Sequence, residues 1–136
     1  MKKMNKKGFT LIEMLAVIAI IAVLVAIIVP AVGSSTTKAK AAADAANLRS
    51  ALSAATIEYA ENGLTDGKLS LSLTTPACKT FEGAALEIYQ VGDELKACYV
   101  SSNKYYDINY FSTIADGKSA PTAGTAAPGT EIWPGA

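Results

Sequence analysis

The chain has 136 residues, 51 % of them hydrophobic, and a formal net charge of zero, which suits one domain with an apolar appendage rather than two domains. It contains no histidine, so the commonest general base and metal ligand is missing, and it has no basic patch or stripe of the kind nucleic acid requires. Cys78 and Cys98 are far apart and form no Cys-x-x-Cys pair, which speaks against a zinc or thioredoxin-like site. The composition thus points away from an enzyme and implies neither a metal nor a cofactor.

Lys2, Lys3, Lys6 and Lys7 come before Gly8, so the part after Gly8 is net acidic. From Met14 to Val29 every side chain is apolar, MLAVIAIIAVLVAIIV. The stretch from Phe9 to Val32 exceeds the roughly 20 residues that cross a bilayer. The preceding lysines would hold the N-terminus in the cytoplasm and send the rest outward. A secretory signal has a shorter apolar core, about 7–15 residues, and then a small-residue cleavage site; this run fits that pattern poorly. A plain anchor accounts for the length but not for Glu13, an ionisable group beside an apolar run. Nor does it account for the one-step change from basic to apolar at Gly8-Phe9. Cleavage between Gly8 and Phe9 accounts for both. It removes the lysines and leaves an amine on Phe9, one helical turn from Glu13, and a cation and an anion in the same apolar surroundings compensate each other.

The segment KGFTLIEML, the apolar run and Pro30 together resemble the class III signal of type IV pilins and pseudopilins, over Lys7 to about Lys40. The resemblance implies that a prepilin peptidase cleaves after Gly8 and N-methylates Phe9. It also implies that residues 1–8 are a leader, that 9–33 form the membrane and filament-core helix, and that Phe9, Glu13 and Pro30 serve assembly. Family members often carry a glycine between the glutamate and the proline, where this chain has Ala19 and Ala22. Pro30 lacks an amide hydrogen, so a bend or local opening is expected near Ala26–Pro30.

Residues 34–63 continue as an alanine-rich helix that stops at Asn62-Gly63. Ala41, Ala45, Leu48, Leu52, Ala55 and Tyr59 recur at spacings of four and three and make one apolar face. The helix is therefore apolar all round in its first half and amphipathic in its second. Residues 64–118 read as a β-rich head: LSLSL at 69–73 alternates, ALEIYQV follows at 85–91, and KACYVSS and KYYDINYF flank Asn103 as a hairpin. Tyr99, Tyr105, Tyr106 and Tyr110 suit sheet packing, with a stacking surface for carbohydrate or nucleic acid as the alternative. Residues 119–136, rich in Pro, Gly, Ala and Thr, read as an extended arm or tail, with Ile132-Trp133 tucking back on the head as the favoured reading and an exposed contact as the alternative. The expected fold class is α+β, a long N-terminal helix packed against a small antiparallel sheet.

Cys78 and Cys98 lie beyond the membrane in this orientation, where disulfides persist. A bridge closing about twenty residues would contribute roughly 3 kcal/mol on the chain-entropy model, and two buried free thiols are the alternative. The leading expectation is a structural subunit of an extracellular type IV pilus. It begins as a single-pass precursor in the cytoplasmic membrane, meets the peptidase and the pilus assembly machinery there, and polymerises with itself. The alternatives are a pseudopilin of a type II secretion or DNA-uptake system, and a membrane-anchored binding protein that never polymerises.

Overall fold

The computed structural model describes residues 8–65, 67–73 and 76–133; the four N-terminal lysines and the last three residues lie outside them. The chain divides into two units, Met1–Ser35 and Thr36–Ala136. Helix α1 runs from Leu11 to Asn62. In the first unit its large apolar side chains, from Leu11 to Val32, are exposed on every side, as expected of a helix that meets lipid or other helices. Among the described residues it is the one helix long and apolar enough to cross a membrane. Pro30 sits inside α1 without interrupting it, so the local opening expected at Ala26–Pro30 is absent. Just beyond it the Ser34 and Ser35 hydroxyls both donate to the Ala31 carbonyl, at 3.1 Å each, which satisfies their polar groups within the helix.

The second unit is an antiparallel sheet laid on residues 41–59 of α1. Strands β1 (Ala85–Val91), β2 (Glu94–Ser101), β3 (Lys104–Asp107) and β4 (Thr130–Trp133) stand in the order β3-β2-β1-β4. The β2–β3 connection places Ser102 and Asn103 at φ 51° and 58°, as a two-residue type I′ hairpin requires, so the hairpin read around Asn103 is present. Ala41, Ala45, Leu48, Ala51 and Ala55 of α1 meet Leu86, Ile88, Ala97, Tyr99, Ile132 and Trp133 in one buried cluster. Leu52 and Tyr59, expected on the same face, are partly buried against it. Complete burial of Leu48, Ile88 and Ile132 contributes about 1.5–3 kcal/mol each. Alanine at four of these five α1 positions lets the sheet lie close to the helix.

Two expectations about strands in the head need correction. LSLSL forms no strand: Leu69 is buried and its N–H reaches the Ile132 carbonyl at 2.9 Å, but the segment makes no continuous ladder. Leu69, Leu71 and Leu73 all pack on the core. The alternation thus reported one buried face, and the short β4 offers too few partners to make a strand of it. KYYDINYF likewise does not stay extended. β3 stops at Asp107, whose Oδ1 accepts the Tyr110 N–H at 2.8 Å and caps α2, Ile108–Ala115. Ile108, Phe111, Ile114 and Ala115 carried that helical spacing in the sequence.

The arm after α2 is ordered. Gly124 exchanges two backbone hydrogen bonds with Tyr105, at 2.9 and 3.1 Å, and covers the free edge of β3. β4 then pairs with β1, burying Ile132 and Trp133 as expected; the Trp133 indole N–H reaches the Leu71 carbonyl at 3.3 Å. The strap thus shields the β3 edge, and β4, only four residues long, is the other edge, short enough to be a poor template for edge-to-edge pairing.

Candidate functional site

The first candidate site is the start of α1. Thr10 lies just outside the helix and Glu13 in its first turn. The Glu13 carboxylate accepts from the Thr10 N–H at 2.8 Å and from the Thr10 hydroxyl at 2.7 Å. In return the Glu13 N–H lies 3.4 Å from the Thr10 hydroxyl and 3.1 Å from its carbonyl. This is a capping box: donors and acceptors that a helix N-terminus leaves unpaired are satisfied by two side chains three apart. Glu13 thus has a partner inside its own chain while the Gly8-Phe9 peptide is intact. Sequence reasoning missed this role for Thr10, although Thr-x-x-Glu before an apolar run is its signal.

Gly8 and Phe9 precede the helix, and Phe9 is 81 % exposed. A Cβ added at Gly8 would meet nothing within 4 Å, and Gly8 is not in the left-handed backbone region. Among the described residues, no packing contact demands glycine there.

The head places the other predicted residues. Cys78 and Cys98 are both free and both buried, so the expected disulfide is absent. The physical reason is the sheet. Tyr99 faces α1 within the core cluster, so its neighbour Cys98 points to the opposite face, whereas Cys78 belongs to the α1 side. There the Cys78 thiol donates to Asp44 at 3.4 Å. Asp44 is completely buried and its carboxylate also accepts from the Lys79 N–H (2.7 Å), the Thr80 N–H (2.8 Å) and the Thr80 hydroxyl (2.6 Å). That arrangement pins the 78–81 turn to α1. Sequence analysis assigned Asp44 no role, although it stands three residues after Ala41 and four before Leu48 and so shares their face of the helix.

On the face away from α1, burial first, and then the Glu87 and Asp107 charges, push the Cys98 thiol up to about 12. Tyr89 donates to the Glu87 carboxylate beside it, and burial followed by that bond pushes its phenol up as well. Groups held this way are protonated at neutral pH and unsuited to nucleophilic chemistry. Of the four tyrosines weighed as a stacking surface, Tyr99 and Tyr106 are buried in the core. Tyr105 and Tyr110 remain partly exposed.

A family profile described as the prokaryotic N-terminal methylation motif matches residues 3–29, ending just before Pro30. No curated protein and no solved structure matches the chain. The chain therefore carries the class III signal of type IV pilin-like precursors, with Gly8, Phe9, Thr10 and Glu13 all inside the matched span. That motif points to a structural protein anchored in a membrane as a precursor rather than to an enzyme.

Proposed function

We propose that this protein is a structural subunit of an extracellular type IV pilus, cleaved between Gly8 and Phe9 and polymerised through residues 9–33. The reading rests above all on one conjunction: the methylation motif leads directly into a helix whose apolar residues are exposed on every side. In the precursor that surface faces lipid. After cleavage the same side chains pack against those of other subunits, and a repeated contact that does not close into a ring builds an open helical polymer. The indifference of this chain's packing to glycine at position 8 fits a requirement imposed by the peptidase.

Glu13 then has two successive partners. In the precursor Thr10 holds its carboxylate in the capping box. Cleavage creates a cationic amine on Phe9, and an incoming subunit's Glu13 pairs with the amine of a subunit already in place. Away from the interface a charged side chain costs about 2.5–3.5 kcal/mol at the bilayer centre on insertion scales, so neutralisation by a neighbour gives assembly a direction and sets the stagger between subunits.

Mass spectrometry of sheared surface material tests the reading. The expected chain begins at Phe9 and is about 14 Da heavier when its amine is methylated; shed fibres that retain Met1 would overturn it. Glu13→Ala is expected to leave insertion and cleavage intact and to lower fibre yield at least tenfold. Normal yields from Glu13→Ala alone would show that the carboxylate does not direct assembly.

A further inference from the structure

The segment between α2 and β4 does more than close the sheet. It leaves the β3 edge at Gly124 and rejoins the sheet at Gly129, where an added Cβ would come within 2.1 Å of the Gln90 carbonyl oxygen. Between these tethers it crosses the face away from α1 and leaves a cleft of about 280 Å³ above Cys98, walled by the strap residues Pro121, Gly124 and Pro128. The other side of the cleft is lined by Lys96, Tyr105, Asp107, Asn109 and Tyr110, with Thr122 opposite. All of these lie in the second unit.

We propose that this cleft is a binding site for a single pyranose ring, either a free sugar or the end of a glycan chain. Its volume falls just below the roughly 300–1,000 Å³ of drug-sized pockets, which suits one ring. Tyr105 supplies aromatic surface for the apolar C–H face of a sugar, while Tyr110 closes one end of the cleft with its ring packed on Phe81, Tyr106 and Phe111. Asp107, Asn109 and Lys96 stand along the same wall, so acceptors and donors alternate, as vicinal hydroxyls that both donate and accept require. Oδ1 of Asp107 is committed to the Tyr110 N–H, which orients the carboxylate and leaves Oδ2 to the ligand. Lys96 and Asp107 carry opposite charges, so the site has no net charge to select an anion or a cation. The thiol below is held protonated, so the site binds without reacting. The inference goes beyond the pilus reading and holds whether or not the chain polymerises.

The test uses the full mature chain in detergent micelles, titrated with methyl β-D-glucopyranoside, methyl β-D-galactopyranoside and N-acetylglucosamine, and with glycine and inorganic phosphate as competitors. At least one sugar is expected to shift the amide resonances of Tyr105, Asp107 and Asn109 in the millimolar range. Asn109→Ala and Lys96→Ala, both at exposed positions, are expected to weaken that binding about tenfold with an unchanged melting temperature. Oligosaccharides ending in the same ring separate the two sources: tighter binding assigns a glycan end and equal binding a free sugar. No response to any sugar, shifts confined to other residues, or displacement by glycine or phosphate at equal concentration would overturn the proposal.

Discussion

Glu13 and Asp44 are both carboxylates on α1, and their surroundings give them different work. Glu13 is exposed on the helix surface and held by Thr10, a local contact that can be exchanged for a better partner. Asp44 is completely enclosed and accepts from two backbone N–H groups and the Thr80 hydroxyl. Asp44→Ala removes the shared acceptor of these three charge-assisted bonds and is expected to cost about 3 kcal/mol, read from denaturant unfolding of the head; Asp44→Asn, which keeps one acceptor oxygen, is expected to cost less. Cys98 gives a pH dependence. An unfolded thiol loses its proton near pH 8.5, while the folded one keeps it until about 12. Between those values the native state binds more protons than the unfolded state, so stability falls as pH rises. Unfolding midpoints are expected to decline across that window, and less steeply in Cys98→Ala.

The elements divide by how they are held. α1 needs no tertiary contact to define its first half, and it passes through Pro30 because the missing bond to Ala26 is one of many in a long helix. β4 is the opposite case. Its four residues have no strong strand pattern of their own, and they are aligned by the strap before them and by β1 beside them. The fit at Gly129 is a backbone-to-backbone contact, with Gln90 carbonyl atoms where a Cβ would go. Gly129→Ala must therefore move one strand relative to the other and is expected to destabilise the head by about 2 kcal/mol. Gly124→Ala meets Tyr105 Cβ no closer than 3.7 Å and is expected to change the thermal midpoint little. A loss at Gly124 equal to that at Gly129 would show that the strap, rather than the contact at its end, carries the effect.

In the whole molecule the two units answer to different solvents. Phe9 to Val32 present apolar surface that water would reject, and the second unit closes a core of its own. A change that blocks maturation should therefore leave the head unaffected. Gly8→Val keeps the lysines on the precursor, and since an added Cβ at Gly8 touches nothing, the melting temperature of the head is expected to be unchanged while surface fibres disappear. A lowered melting temperature would mean that Gly8 has a structural role in this chain.

The maturation signal, the span and the helical stripe were legible in the sequence because each depends on neighbours within a few residues. Lys7-Gly8-Phe9, the run to Val29, and Ala41 to Tyr59 at spacings of three and four need no distant partner to be read. β1 and the Asn103 hairpin were legible for the same reason, since alternation and turn chemistry are local. The role of Asp44, the separation of Cys78 from Cys98 and the fate of LSLSL were decided only by tertiary structure. Asp44 becomes a buried anchor when residues 78–81 arrive over it. The cysteines fall on opposite faces because a sheet stands between them. LSLSL buries its leucines without pairing because β4, which reaches it from the far end of the chain, is too short to complete a ladder.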